Sequence, residues 1–515
     1  MAEVSQVTSP DDKTNSSESV AWTIIAGVLL CAIALLHPWR ISVNISEILP
    51  RAGFLPASAA TAIALTPADL LIWLTTLVFV IHFLFSRRVS ALGALPAPSL
   101  LIVLCMALSL IPALRFPVSQ EAPRPLVDTM GGLKETIQTF EYLVVVVMLF
   151  TLGLRREGAV LAVVVALFLG ATLVLIRAGA QYLDTTLPAM QVSGGMGNRN
   201  ALGAYLCVLL PFLFGVGLKA RSKLWFFWAL GLVIAGLVVM LAGGLLLALC
   251  VGLLVVCFLH RPWLLPLAGL GLLLLVVLLL PARFLPRRNA ELLHESIQLY
   301  RPTDRAGSFI NKLAPKKLED IAAETQAKLK ALDLLAARRD PVPPNEIPTL
   351  SLAELSWPWQ QRYKDWQAAI NMMRAHPLLG VGAGGYRANF NAFYAGMPKM
   401  NKDLMEDDGH SLYMVLGATA GVPALIFLFW LFAAFFRRAV ITVNYEEKPE
   451  GMWYGVALGG AGALAAVAVG AFYSEFLIRS VGISLGIALG LIAAAYRYIS
   501  DQAREEKAVM RILTE

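Results

Sequence analysis

The stretch VAWTIIAGVLLCAIALL, from Val20 to Leu36, contains no charged side chain. A helix needs about 20 mostly apolar residues to cross a bilayer, and this stretch approaches that length. It lacks the basic region and the small-residue cleavage site of a signal peptide. The stretch therefore predicts a retained membrane-spanning helix, and the acidic, Ser-rich residues 1–19 before it are predicted to form a disordered tail.

The same apolar pattern recurs along the chain. Of the 515 residues, 58% are hydrophobic and only 15% are charged, whereas soluble proteins average about 25% charged residues. The apolar residues lie in blocks, which predict an all-α membrane protein with about twelve spans. The candidate spans are 20–36, 66–85, 96–114, 135–153, 158–178, 199–218, 223–241, 244–260, 262–281, 411–436, 452–472 and 476–497. They form two groups, 20–281 and 411–497, which a large polar segment separates.

Basic residues in the short loops predict the orientation of the bundle, because such residues collect on the cytoplasmic side. Every second loop carries them, for example at Arg155 and Arg437. Both termini, including the tail 498–515, are therefore predicted to be cytoplasmic, and the segment 282–410 is predicted to be periplasmic. The net charge of +7 follows from this topology, so nucleic-acid binding is not predicted.

The outer segment is predicted to be partly helical. Apolar residues at helical spacing predict an amphipathic helix over KLEDIAAETQAKLKALDLLAARRD, residues 317–340. A second helix is predicted from Trp359 to Arg374. The stretch HPLLGVGAGGYRANF that follows is not expected to form a regular helix, because Pro377 and its glycines favour turns.

Arginines gather on the predicted outer face of the bundle. A guanidinium binds phosphate oxygens through a planar fork, so the group predicts an anionic ligand such as a phosphate-bearing lipid. Taken singly, each arginine can instead extend to lipid head groups, and Arg479 can simply pair with Glu475 four residues earlier. The arginines concerned are Arg177, Arg199, Arg362, Arg387 and Arg479.

His410 is the other candidate for chemistry, within EDDGHSLYMVLG at the start of the predicted tenth span. A neutral imidazole accepts a proton near neutral pH, and a placed general base accelerates a reaction by roughly 10²–10⁴. The alternative is a histidine that contacts interfacial water, with the neighbouring acids as a solvated loop. The five cysteines all lie in predicted spans without metal-like spacing, and neither a metal nor another cofactor is predicted.

Two segments carry a family resemblance, RYKDWQAAINMMRAHPLLGVGAGGYRANF and DDGHSLYMVLGATAGVPALIFLFWL. An Arg and a Trp precede a P-x-x-G-x-G motif, and a histidine opens a helix that reaches a glycine. This pattern resembles the O-antigen ligase and O-antigen polymerase family of bacterial inner-membrane glycosyltransferases. GGMGNRNALGAYLCVLLP also looks like the family's Gly-Asn-x-Asn motif, and the similarity extends over 66–497. The matching positions are Arg362, Trp366, Pro377, Gly380, Gly382, His410 and Gly421.

The resemblance implies transfer of a glycan from an undecaprenyl-pyrophosphate carrier to an acceptor at the periplasmic face. The acceptor would be lipid A-core for a ligase and another glycan for a polymerase, and polysaccharide-assembly proteins would be further partners. His410 is implied to act on the acceptor hydroxyl and Arg362 to bind pyrophosphate, and Arg387, outside the matching positions, is expected to help close the site. The other expected substrate-binding residues are Arg177, Arg199, Arg479, Gly380 and Gly382.

The chain departs from the family pattern at three positions. Gly243 stands where relatives carry an arginine implied to bind pyrophosphate, and Ser411 and Thr419 replace the Asn and Glu of many relatives. Three interpretations therefore remain: a ligase or polymerase in which other arginines compensate, a transporter of lipid-linked glycan, and a non-catalytic binding or scaffold protein. Spans such as LLLLVVLLLP are uniformly apolar, which disfavours the transporter.

Overall fold

A computed structural model describes most of the chain. The described residues are 10–39, 43–44, 64–86, 97–111, 129–183, 192–220, 222–240, 245–260, 271, 357–393, 411–445 and 451–514.

Helices dominate the described structure, as predicted for an all-α membrane protein. The α-helices are α1 (Pro10–Leu36), α2 (Pro67–Ser86), α3 (Ala97–Ser109), α4 (Thr129–Phe140), α5 (Val147–Gly153), α6 (Glu157–Leu183), α7 (Arg199–Lys219), α8 (Lys223–Met240), α9 (Leu245–Leu259), α10 (Trp357–Ala375), α11 (Tyr386–Phe393), α12 (Leu412–Ala420), α13 (Val422–Val443), α14 (Met452–Gly470) and α15 (Arg479–Thr514). A π-helical segment, Glu141–Val146, joins α4 to α5. Two short strands, β1 (Val43–Asn44) and β2 (Ala64–Leu65), pair antiparallel between α1 and α2.

Eight of the helical stretches in the described part of the chain are long and apolar enough to cross a membrane. Three shorter apolar helices, Ala21–Leu36, α3 and α9, accompany them. Each of these helices coincides with a predicted span. The predicted span 262–281 lies almost entirely outside the described residues, so the count of twelve stays a prediction.

Helix α7 is buried along nearly its whole length at the centre of the bundle. Gly215 of α7 faces Gly459 of α14 so closely that a Cβ on either glycine would collide with the backbone of the opposite helix. Small residues permit this approach, and close packing is a main source of helix association in lipid. The packing holds Arg199, the first residue of α7, at one end of the bundle.

The π-helical segment packs against α15. A Cβ on Gly482 would collide with the ring of Tyr142, and a Cβ on Gly486 would collide with the Tyr142 carbonyl group. Both glycines therefore allow the neighbouring π-helical segment to approach the α15 backbone closely. This contact fixes α4, which continues directly into the π-helical segment.

The tenth predicted span, 411–436, is divided in two. Gly421, with φ of +87°, separates the short buried helix α12 from the spanning helix α13. Pro423 lies in the first turn of α13, where a proline is well tolerated because the N–H group it lacks has no intrahelical partner there. The prediction of one continuous helix is wrong here, because apolar composition does not report a break in the backbone.

Three smaller differences concern helix boundaries. Residues 10–19, predicted to be disordered, continue α1, since an existing helix gains one hydrogen bond for each residue added. Helix α11 forms within a stretch predicted to be irregular. The last glycine of that stretch is Gly385, and the residues after it carry side chains and form the helix. Glu475 precedes α15, so the helical spacing rule invoked for its pairing with Arg479 does not apply.

The predicted outer helix from Trp359 to Arg374 is confirmed by α10. The amphipathic helix predicted over 317–340 lies outside the described residues.

Candidate functional site

One end of the bundle brings together the termini of several helices. Leu245, at the start of α9, lies next to Gly203 near the start of α7 and next to Gly470 at the end of α14. We call this end of the bundle the Arg199 end. Helix termini leave backbone N–H and C=O groups without intrahelical partners. Polar side chains and ligands can therefore form hydrogen bonds with these groups.

A turn between α6 and α7, Ser193–Asn198, lies at this end. Oε1 of Gln181 on α6 accepts hydrogen bonds from the N–H groups of Ser193 at 3.0 Å and Gly194 at 2.8 Å. Asn198 caps α7, because its Oδ1 accepts from the N–H group of Ala201 at 2.7 Å. The turn is therefore tied to both helices.

Arg177, near the end of α6, lies against this turn. A Cβ on Gly195 would be 3.1 Å from Nη1 of Arg177, and Gly195 has φ of +95°, a backbone conformation that favours glycine. The guanidinium carbon lies 5.9 Å from the centre of the Trp39 ring, within the range of a cation–π contact. The side chain is otherwise exposed, so its charge is oriented and still accessible.

Arg177 and Arg199 flank the same turn. Arg199 is half-buried at the first position of α7, and a helix N-terminus adds partial positive charge. Oriented guanidinium groups bind phosphate oxygens in pairs of hydrogen bonds. The arrangement is suited to binding an anion.

A second feature at this end is the loop Gly380–Gly385, named here the glycine loop. Each of its backbone N–H groups already donates a hydrogen bond within the protein, at 2.8–3.0 Å. A loop that cradles phosphate presents free N–H groups to the ligand, and these groups are occupied. Gly380 and Gly382 therefore shape the loop, and a substrate contact by either stays a prediction. In chain order the acceptors are the His376 carbonyl, the Ala418 carbonyl, the Thr419 carbonyl, Ser109 Oγ, Glu135 Oε2 and the Gly382 carbonyl.

The glycine loop docks onto the break between α12 and α13. The end of α12 leaves carbonyl groups without helical partners, and those of Ala418 and Thr419 are the ones the loop satisfies. A Cβ on Gly380 would collide with the Ala418 carbonyl, and one on Gly421 with the carbonyl of Leu378. The resemblance includes both the P-x-x-G-x-G motif and the later glycine, Gly421. In the structure the two are thus in direct contact.

Two residues that were not predicted from the sequence, Ser109 and Glu135, hold the other side of the glycine loop. For Glu135 a weak signal was present, since it is the first residue of the predicted span 135–153 and an ionisable residue within a span marks a functional position by default. Ser109 has no comparable signal, because serine is common in membrane helices.

The predicted arginines lie in separate parts of the structure. Arg177 and Arg199 share one turn, whereas Arg387 lies at the start of α11, directly after the glycine loop. Arg362 lies in the first half of α10, and Arg479 begins α15; only their backbone positions belong to the described structure.

His410 lies outside the described residues, as does Gly243. Ser411, which follows His410, is fully buried, and its hydroxyl group donates to the Ala471 carbonyl at 3.0 Å. The next N–H group, of Leu412, donates to the Ser474 carbonyl at 3.1 Å. The start of α12 is thereby held at the Arg199 end.

Metal binding finds no support in the described part of the chain, where no group of three or more His, Cys, Asp or Glu residues could hold an ion. The five cysteines are free thiols.

These features define a multi-pass helical membrane protein with arginine side chains at one end of its bundle. Residues 228–429 match the family model described as O-antigen ligase. The match supports the assignment of the chain to the O-antigen ligase/polymerase family, and with it a glycosyltransferase-like function of that type. Among curated proteins, none matches the chain with significant similarity.

The matched region runs from α8 into α13 and covers less than half of the chain. It includes Arg362, Arg387, the glycine loop and His410. Arg177 and Arg199 lie outside it, so the family match and the placement of these two arginines at the Ser193–Asn198 turn are independent observations.

Proposed function

We propose that the chain transfers a glycan from an undecaprenyl-pyrophosphate carrier to a hydroxyl group of lipid A-core or of another glycan. The hydroxyl oxygen attacks the anomeric carbon, and the bond from that carbon to the pyrophosphate oxygen breaks. Undecaprenyl pyrophosphate leaves with the electron pair, and the hydroxyl proton passes to a base. No metal takes part in the proposed reaction.

The observation that carries the proposal is the placement of Arg177 and Arg199 at one turn of a chain that matches the O-antigen ligase model. Negative charge develops on the departing pyrophosphate, and pre-oriented donors stabilise developing charge. Arg177 is oriented by Trp39 and by Gly195, so little reorganisation is needed when the charge appears. The two arginines can also compensate for the absence of an arginine at Gly243.

The remaining roles follow the family pattern. His410 accepts the acceptor proton, Arg362 binds pyrophosphate, and Arg387 closes the site. Arg479 adds charge at the start of α15. Gly380 and Gly382 contribute by giving the glycine loop its shape.

The proposed orientation places the Arg199 end on the periplasmic side of the bacterial inner membrane. The spanning segments 20–281 and 411–497 then enclose the lipid part of the donor, and 282–410 forms a periplasmic cap. The tails 1–19 and 498–515 are cytoplasmic. This arrangement supplies the pyrophosphate at the membrane surface, where the arginines lie.

The proposal is tested in cells that lack the native protein and are complemented at matched membrane levels. The variants are His410→Ala and Arg362→Ala, with Arg156→Ala as a control, because Arg156 is exposed in the short loop before α6 at the opposite end. Surface glycan is examined on gels, and undecaprenyl-linked glycan is measured in lipid extracts. Both site variants are expected to lose mature glycan and accumulate the donor, whereas the control matches wild type.

The missing product separates the two forms of the proposal. Loss of long chains indicates a polymerase, and loss of lipid A-capped chains indicates a ligase. Accumulation of the donor on the cytoplasmic side would instead indicate a transporter. Site variants that match wild type in both assays would contradict the transferase and leave a binding or scaffold protein.

A further inference from the structure

Two side chains from the first third of the chain hold the glycine loop. Oε2 of Glu135 on α4 accepts a hydrogen bond from the N–H group of Gly384 at 2.8 Å, and Oγ of Ser109 accepts from that of Ala383 at 3.0 Å. Ser109 is fully buried and donates its own hydrogen to the Met106 carbonyl at 2.6 Å, so its lone pairs have a fixed direction.

The glycine loop and α4 are also in backbone contact. A Cβ on Gly132 would collide with the carbonyl of Ala383, and a Cβ on Gly384 would collide with the backbone of Gly132. Gly384 has φ of +68°, which L side chains rarely adopt. Glycine at both positions therefore permits the approach that brings the Gly384 N–H group to Glu135. A bond from a peptide N–H group to a carboxylate is about twice as strong as a neutral one.

Helix α11 starts directly after this contact. The carbonyl of Gly385 accepts hydrogen bonds from the backbone N–H group of Asn389 at 3.1 Å and from its Nδ2 at 2.7 Å. The first turn of α11 is thereby tied to the end of the loop, and half-buried Arg387 lies in that turn. Any shift of Gly384 would move this turn with it.

We infer that Glu135 and Ser109 are positioning residues for Arg387: α3 and α4 hold the glycine loop, and the loop places Arg387 at the site. The inference rests on the proposed function as far as the role of Arg387 is concerned. It extends the site to residues that lie outside the matched region 228–429. It also gives α4 a second role besides crossing the membrane.

Hydrogen exchange tests whether the two side chains hold the loop. Wild type, Glu135→Ala, Glu135→Gln and Ser109→Ala are compared in lipid nanodiscs, with Lys134→Ala as a control on the same helix with an exposed side chain. Glu135→Ala and Ser109→Ala are expected to speed exchange in peptides from 377–393, and Glu135→Gln, which keeps an acceptor oxygen, is expected to restore protection. Exchange in Glu135→Ala equal to that in Lys134→Ala would overturn the inference.

Ligand binding tests whether the held loop positions Arg387. The probe is undecaprenyl pyrophosphate, and its Kd is measured for the same proteins, for Arg387→Ala and for Glu135→Ala/Arg387→Ala. Glu135→Ala is expected to weaken binding about tenfold, because a charge-assisted hydrogen bond is lost. Glu135→Gln is expected to weaken it less than about threefold, because the amide oxygen still accepts a hydrogen bond. In the Arg387→Ala background, Glu135→Ala is expected to have no further effect, because the two act through one contact.

The outcomes separate the inference from the proposed function. Additive effects of Glu135→Ala and Arg387→Ala would show that Glu135 does not act through Arg387 and would overturn the positioning role. Binding by Arg387→Ala equal to wild type would contradict the proposed role of Arg387 itself. The exchange experiment decides independently whether Glu135 and Ser109 hold the loop.

Discussion

The guanidinium carbon of Arg177 lies 5.9 Å from the centre of the Trp39 ring, so a residue just after α1 orients a cation at the end of α6. Gly195 lies next to the same guanidinium group. An exposed cation–π contact is worth about 0.5–1 kcal/mol. The contact restricts the side chain without covering its hydrogen-bond donors.

Arg177→Ala is expected to weaken binding of undecaprenyl pyrophosphate about tenfold or more, because a charge-assisted contact is lost. Arg177→Lys restores binding only in part, since an ammonium group cannot bind two oxygens as a planar fork. Trp39→Ala, which removes only the orienting ring, has a smaller effect of about two- to fivefold. Titration in nanodiscs measures these affinities, with Arg156→Ala as the control. Equal affinities for Arg177→Ala and Arg156→Ala would exclude Arg177 from the site.

Gly421→Ala is expected to lower the free energy of unfolding by at least about 1–3 kcal/mol, the usual cost of a left-handed backbone without glycine. The added Cβ would also collide with the Leu378 carbonyl and separate the glycine loop from α13. Gly231→Ala in α8 is the matched control, because a Cβ there meets open space. Unfolding is followed by heating in detergent. The docking of the loop on the helix break is contradicted if the two variants unfold alike.

Loss of the hydroxyl group is expected to lower the stability of the folded protein at one buried tyrosine, Tyr413, and not at another, Tyr205. The Tyr413 hydroxyl donates to the Ala468 carbonyl at 2.7 Å, so Tyr413→Phe costs about 0.5–1.5 kcal/mol. The Tyr205 hydroxyl is fully buried and has no hydrogen-bond partner among the described residues. Removal of an unsatisfied polar group is neutral or stabilising, so Tyr205→Phe leaves the unfolding temperature unchanged or raises it. A lower unfolding temperature for Tyr205→Phe would reveal a ligand or water bound to that hydroxyl group.

His260, directly after the end of α9 at Leu259, is expected to contribute to the pH dependence of the free energy of unfolding. Burial, and secondly the charge of Lys219, lowers its pKa below the ordinary 6.5. The folded protein therefore favours the neutral ring: this contribution to stability is fully present above pH 6.5 and is lost as the pH falls below 6.5 towards the folded pKa. Unfolding temperatures at about pH 8 and about pH 5 measure the effect.

In His260→Gln the fall in stability between these two pH values is expected to be smaller than in wild type. Lys219→Gln, which removes the second cause, is expected to reduce it in part. An unchanged pH dependence in His260→Gln would assign the acid sensitivity to other groups.

The membrane helices were predictable because their signal is local. A bilayer requires a long apolar segment, and such segments appear directly in composition. The helix from Trp359 to Arg374 and the non-helical backbone from Pro377 to Gly385 were predictable for the same reason, since periodicity and glycine content are local properties. The break at Gly421 was not, because an apolar run reads the same whether it forms one helix or two.

The candidate site was predictable in part. Residue types with obvious chemistry, such as Arg177 and Arg199, could be selected from the sequence. Glu135 and Ser109 could not be connected to the glycine loop, because they precede it by well over two hundred residues. A substrate contact by Gly380 or Gly382 stays a prediction, and the sequence does not show that the N–H groups of the glycine loop already have acceptors.

By itself, the sequence determined that this protein is a bundle of membrane helices with cationic residues at their ends, because hydrophobic length and charge act residue by residue. Only the tertiary structure decided which of those residues meet. It brought Trp39 and Gly195 next to Arg177, and it connected the glycine loop to α12 and also to α3 and α4. The physical reason is that hydrogen bonds and close backbone contacts depend on positions in space, which distant segments acquire only when the helices pack.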